Sequence, residues 1–164
     1  MPLTDNPFTV VSAVVAPAVL TNACSVLCLG TTNRLARAVD RTRAIAAQVP
    51  TLEVGSLLYQ QRLTQLKSLQ SRVQLLLSSL KFLYASLGSF AASALTTILG
   101  AAMKYVDWQI ASGAAAVIAV ATATFAVTGV VIACTLMVRE TRLAVQSLGE
   151  EAELALASYG PKAR

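Results

Sequence analysis

Three long stretches without a charged side chain are the feature of this sequence that most limits its fold. Their apolar parts cover residues 8–29, 82–103 and 108–138. A helix needs about 20 apolar residues to cross the roughly 30 Å hydrocarbon core of a bilayer, and each stretch is long enough. The sequence therefore predicts an all-α integral membrane protein with three transmembrane helices, forming a single membrane domain over residues 1–164.

The composition of the chain argues against a soluble or disordered protein. Charged residues make up 13% of the chain, about half of their share in a soluble domain, and hydrophobic residues make up 55%. Intrinsic disorder requires the opposite balance of charge and hydrophobicity. The first apolar stretch is also longer than the core of a signal peptide, about 7–15 residues, so we expect it to be a retained span.

The basic residues predict how the chain crosses the membrane. Of the 13 Lys and Arg residues, 12 lie between residues 30 and 81 or after residue 138, and the remaining one is Lys104. Because Lys and Arg accumulate on the cytoplasmic side, we expect a multi-pass protein with its N-terminus outside and its C-terminus in the cytoplasm. Anionic lipid headgroups are expected partners of these residues, whereas nucleic acid is not, because the basic residues flank the apolar stretches.

The polar segments outside the spans are predicted to form a cytoplasmic helical bundle. Their predicted helices cover about residues 34–49, 56–81 and 139–158, and the last two are expected to be extensions of the second and third spans. Pro50 should end the first of these helices, and Ser56 is suited to cap the start of the second. The first helix either begins at its own cap or continues directly from the first span.

A repeat of apolar residues indicates that the second polar helix and the second span are one helix over about residues 56–103. The spacing alternates between three and four positions through Leu66, Leu69, Val73, Leu76, Leu80, Leu83, Leu87 and Phe90. This heptad pattern is typical of a helix that packs as in a coiled coil.

Segment 34–49 carries a basic cluster and an apolar face. The cluster consists of Arg34, Arg37, Arg41 and Arg43. The apolar face is predicted to consist of Leu35, Val39, Ala46 and Val49. Three acids later in the chain either face this cluster or are simply solvated, namely Glu150, Glu151 and Glu153.

Small residues at every fourth position form stripes that allow two helices to approach closely in lipid. The second span has Gly88, Ala92, Thr96 and Gly100. The third span has Ala111, Ala115, Ala119 and Ala123, and a shorter pair of Gly129 and Ala133. The stripes fit either contacts between subunits or the packing of the protein's own spans.

Pro17 and Asn22 are the two unusual residues of the first span. Pro17 removes a backbone hydrogen bond and should kink the helix. Asn22 is costly in lipid without a partner, so we expect it to face another helix or water. It fits a structural contact, an assembly contact or a solute path.

The residue types that carry most catalytic and cofactor chemistry are scarce. The chain has no His, which excludes His-ligated metals and His general bases. It also has no phosphate-binding glycine loop and no nucleophile elbow. We interpret Cys24, Cys28 and Cys134 as packing residues, and we expect no enzymatic activity, metal or cofactor.

The segment from Ala16 to Arg43 resembles a known family. It joins the first span to the motif Asn33-Arg34-Leu35 and a basic segment. Over roughly residues 8–140 the chain is similar to an uncharacterised bacterial membrane-protein family, domain of unknown function 2721. The resemblance implies a protein of the bacterial cytoplasmic (inner) membrane, and it implies no activity, cofactor or catalytic residue.

The sequence as a whole predicts a non-enzymatic membrane protein that acts by helix–helix association. It would be a homo-oligomer or an accessory subunit of a larger membrane complex. The alternative is a small oligomeric channel or transporter, whose pore would be lined by Asn22, Ser89, Ser93 and Thr97.

Overall fold

The computed structural model describes residues 7–159 of the chain, and over these residues it is all-helical. The three long helices are α1 (Pro7–Gln48), α2 (Leu57–Tyr105) and α3 (Gln109–Tyr159). Each contains a stretch that is long and apolar enough to cross a membrane. The predicted all-α fold with three such helices is therefore confirmed.

The ends of the first two helices follow local sequence signals. α1 continues without a break from the first apolar stretch into the basic segment and ends at Gln48, two residues before Pro50. Ser56 caps α2, because its Oγ accepts a hydrogen bond of 3.2 Å from the backbone N–H of Tyr59. Both boundary signals are confirmed, and α2 is one continuous helix as predicted.

The connection between α2 and α3 is a tight turn over residues 106–108. Asp107 adopts a left-handed conformation with a φ of 62°. Its N–H donates to the carbonyl of Lys104, and the N–H of Trp108 donates to the carbonyl of Met103. This pair of hydrogen bonds is a Schellman motif, which satisfies carbonyl groups at the end of α2.

Contacts divide the chain into two compact units, each with a segment of all three helices. Unit 1 consists of the chain up to Gly30 together with Leu80–Ala133. Unit 2 consists of Thr31–Ser79 together with the chain from Cys134. The expectation of a single membrane domain stays a prediction.

The core of unit 1 combines large side chains of α2 with small side chains of the other two helices. In one cluster Phe90 packs between Cys24 of α1 and Ala126 of α3. The other cluster consists of Cys28, Leu83 and Ala133. Because α3 contributes alanines, its backbone lies close to the bulky face of α2.

In unit 2 the buried line of α1 differs from the predicted apolar face. Its buried side chains are Thr31, Ala38 and Ile45, which are spaced seven residues apart, whereas Ala46 is exposed. Of the predicted apolar face, Leu35, Val39 and Val49 are half-buried.

On α2 every second position of the predicted heptad is fully buried and the others are half-buried. The buried positions are Leu69, Leu76, Leu83 and Phe90. A neighbouring row of buried serines, which the sequence analysis did not identify, consists of Ser79, Ser86 and Ser93. Coiled-coil geometry itself stays a prediction.

Candidate functional site

A buried ion pair joins α2 to α3 in unit 2. Arg72 donates hydrogen bonds from Nε and Nη2 to Oε1 of Glu140, at 2.9 and 2.8 Å. The side chain of Glu140 is 4% exposed and that of Arg72 is 18% exposed. Since removal from water is costly for both charges, this pair is stable only because the two groups satisfy each other.

Arg34 brings α1 to the same carboxylate. Its Nη1 lies 4.0 Å from Oε2 of Glu140 and donates a hydrogen bond of 3.4 Å to Oγ1 of Thr141. Arg34 is half exposed, so this contact is much weaker than the one made by Arg72. Glu140 is nevertheless the point where polar groups of all three helices meet.

A cleft of about 440 Å³ lies next to the ion pair. Its charged lining consists of Arg34, Arg37, Arg41, Arg72 and Glu140. The structure thus brings three of the four residues of the predicted basic cluster together in one cleft, and Arg43 does not line it. Arg72 and Glu140 were not predicted as site residues, and the side chains of Glu150, Glu151 and Glu153 lie outside the described residues.

The two small-residue stripes have different environments in unit 1. On α3, Ala115 and Ala119 are buried in the packing of the unit. On α2, Gly88 and Ala92 are exposed, and a Cβ added at Gly88 would meet no heavy atom within 4 Å. The α3 stripe therefore serves internal packing, whereas this part of the α2 stripe is left uncovered by the residues that the structure describes.

The later part of the α2 stripe approaches α3. A Cβ added at Gly100 would lie 2.9 Å from the Cβ of Ala115. Thr96 is half-buried and donates its hydroxyl proton to the carbonyl of Ala92, at 2.7 Å. The stripe is thus divided between an internal contact and an exposed face.

Pro17 and Asn22 occupy different surroundings on α1. Pro17 lies inside the helix and lines a cleft of about 980 Å³ in unit 1, and its carbonyl accepts a hydrogen bond of 2.8 Å from Thr21. Asn22 is exposed and does not line that cleft. Within the described part of the chain Asn22 is thus open to its surroundings, and its expected contact with another helix or with water stays a prediction.

The structure brings the residues of the alternative pore lining together only in part. Ser93 and Thr97 both line the cleft of about 980 Å³ in unit 1, whereas Asn22 and Ser89 do not. Ser93 is buried and donates a hydrogen bond to the carbonyl of Ala119, at 2.8 Å. Thr97 donates to the carbonyl of Ser93, and Ser89 to that of Ala85. These hydroxyls are already used by the helix backbone, which leaves little polar surface for a solute.

None of the three cysteines forms a disulfide, and Cys24 and Cys28 belong to the apolar clusters of unit 1. Cys24 and Cys28 are buried and Cys134 is half-buried. Among the described residues, no group of three or more Cys, Asp or Glu residues has an arrangement that could hold a metal ion.

Comparison with known proteins identifies the family. A family model described as "Protein of unknown function (DUF2721)" matches residues 14–150. The chain belongs to this family. No curated protein and no solved structure matches the sequence. The region matched to DUF2721 includes Asn22, the exposed part of the α2 stripe and the whole charged cleft, and the resemblance seen in the sequence is confirmed.

Proposed function

We propose that this protein is a non-enzymatic integral membrane protein that acts by helix–helix association, as a homo-oligomer or as an accessory subunit of a larger membrane complex. The observation that carries the proposal is the exposed pair Gly88 and Ala92 on α2. In lipid, small residues favour association because they let two helices come into close van der Waals contact. The packing among the described residues uses other positions, which supports this face as the one offered to a partner.

The exposed Asn22 supports a second copy of the chain as the partner. An amide side chain both donates and accepts hydrogen bonds, so two copies of Asn22 complement each other. Copies inserted with the same topology place this residue at the same depth in the bilayer. Pairing would remove the cost of an unsatisfied amide in lipid.

The proposed location is the bacterial inner membrane, with the N-terminus outside and the basic segments in the cytoplasm. The distribution of Lys and Arg supports this orientation. In this arrangement unit 2 is a cytoplasmic helical bundle, which its buried residues and the pair of Arg72 with Glu140 support. Anionic lipid headgroups would be the neighbours of its basic side chains.

The experiment is a measurement of molecular mass for the full chain in mild detergent and in lipid nanodiscs. We expect a mass well above the 17.1 kDa of one chain. The double variant Gly88→Ile with Ala92→Ile should weaken self-association by about tenfold, because the larger side chains hold the helices apart. The control is Gly113→Ile, which makes the same change at another exposed glycine and should leave the mass unchanged.

A monomeric mass in both environments would overturn the homo-oligomer. So would a double variant that associates as strongly as the wild type. Asn22→Leu should also weaken association, since it removes the amide that two copies share.

The channel or transporter is the weaker alternative. Its expected hydroxyl lining is largely hydrogen-bonded to backbone carbonyls, as described for Ser89, Ser93 and Thr97. Absence of solute flux into liposomes that contain the oligomer would exclude it.

A further inference from the structure

We infer that the arginine-lined cleft of unit 2 is a binding site for a phosphate group, either of an anionic lipid or of a soluble phosphorylated molecule. This inference goes beyond self-association and does not depend on it. The cleft, at about 440 Å³, is large enough for a phosphate with a small substituent.

The charges of the cleft are unbalanced. Even without Arg41, which has an interaction of its own, three guanidinium groups line it. The described lining residues include one carboxylate, that of Glu140. The carboxylate is engaged mainly by Arg72, which places two N–H groups on Oε1. The lining therefore carries an excess of positive charge, and an anion in the cleft would reduce the repulsion between the arginines.

The chemistry of the lining favours phosphate. Every cation among the lining residues is Arg, whose planar fork of N–H donors matches the oxygens of a phosphate group. The bond between Arg72 and Glu140 fixes one guanidinium before any ligand arrives, which lowers the entropy cost of binding. Arg37 is more adaptable, since it is exposed and its Nε donates to the carbonyl of Asn33 in its own helix.

The position of the cleft along the chain suits a lipid headgroup. Arg34 follows the last residue of the first apolar stretch by five positions, and Glu140 follows that of the third by two. Helix rise is about 1.5 Å per residue, so these two residues, at one end of the cleft, follow the apolar stretches within about 8 Å. Phosphate groups of a bilayer lie in this zone, just beyond the hydrocarbon.

The test uses the full chain, delipidated in a neutral detergent, with binding followed by native mass spectrometry. The probes are short-chain phosphatidylglycerol, phosphatidylcholine and inorganic phosphate. We expect saturable binding of phosphatidylglycerol with one ligand per chain, and binding of phosphatidylcholine that is at least about tenfold weaker. Inorganic phosphate should compete with phosphatidylglycerol, since both present the same group to the arginines.

Two matched variants distinguish binding in the cleft from general electrostatic attraction to the basic segment. Arg37→Gln removes a cleft residue and should weaken binding at least about fivefold, whereas Arg43→Gln removes an equal charge outside the cleft and should weaken it less than about twofold. The affinity of Arg37→Lys should fall between that of the wild type and that of Arg37→Gln, because lysine keeps the positive charge and loses the planar fork of N–H donors. Circular dichroism of each variant checks that the helices are retained.

The outcomes distinguish the ligand sources. Tighter binding of phosphatidylglycerol than of inorganic phosphate identifies a lipid site, and the reverse identifies a soluble phosphate ligand. The inference is overturned if neither probe binds in a saturable manner, or if Arg37→Gln and Arg43→Gln weaken binding equally.

Discussion

Gly129 of α3 lies at a close approach of α3 to α2 in unit 1. A Cβ added there would collide with Oγ of Ser86 and would lie 3.5 Å from the carbonyl oxygen of Phe82. Ser86 is buried, and its hydroxyl has no hydrogen-bond partner among the described residues. Glycine is needed here for the close approach of two helices, not for its backbone freedom.

Gly129→Ala should lower the free energy of unfolding by about 1–3 kcal/mol, because the added methyl group overpacks the contact with Ser86. Thermal unfolding in detergent measures the effect. The control is Gly113→Ala, where a Cβ meets no heavy atom within 4 Å and no loss is expected. Adding Ser86→Ala to Gly129→Ala should restore part of the stability, and equal unfolding temperatures for the two glycine variants would contradict the prediction.

At the scale of residues, the sequence indicates which positions are small but not which way they face. Gly88 and Gly129 each have another small residue four positions further along the helix, yet Gly88 is exposed and Gly129 is buried. Glu140 could not be recognised as a site residue, because it stands beside Arg139 at the end of an apolar stretch, like an ordinary flanking charge. Only the packing of α2 against α3 places Arg72 next to it.

At the scale of elements, the ends of the helices were predictable from the sequence. The side of each helix that packs against its neighbours was less predictable. Pro50 and Ser56 act on their own neighbours, so the sequence alone located the end of α1 and the start of α2. Which side chains of residues 34–49 point towards the other helices depends on the whole of α1, because a continuous helix keeps one heptad repeat. The apolar face predicted from the segment alone included Ala46, which is exposed, and did not include Ile45, which is buried.

The ion pair of Arg72 with Glu140 should stabilise the contact of α2 with α3. Glu140→Gln should cost about 3 kcal/mol, because it leaves the guanidinium of Arg72 largely buried without its counter-charge. Arg72→Gln should also destabilise, and the double variant should lose less than the two single losses together. Chemical or thermal unfolding of all three variants measures this coupling.

The control for the ion pair is Arg142→Gln on the same helix, which changes an exposed charge and should cost less than about 0.5 kcal/mol. If the losses of the two single variants simply add, the side chains do not interact and the prediction fails.

At the scale of the whole molecule, the number of potential spans follows from the sequence because it depends on apolar length alone. The cleft does not, because its lining combines residues about 30 and about 70 positions apart in the chain, as Arg41, Arg72 and Glu140 show. Contacts at such separations are set by tertiary packing, and the periodicity of apolar residues along one helix gives no information about them.

The proposed orientation predicts the result of reporter fusions. A reporter that is active only in the cytoplasm should be active after residue 164 and within the loop at residues 52–55. A reporter that is active only outside should be active after Asp107, in the turn between α2 and α3. The opposite pattern, or chain ends that report the same compartment, would refute the orientation.

The three-residue turn between α2 and α3 has a consequence for how the protein enters its membrane. The Schellman motif satisfies carbonyl groups there within the chain, and the turn carries one acidic side chain, that of Asp107. In the proposed orientation, this short turn, with Lys104 beside it, is the only polar segment between these helices that would have to be translocated. Both can partition into lipid together as a preformed hairpin, without a separate export step for a soluble loop.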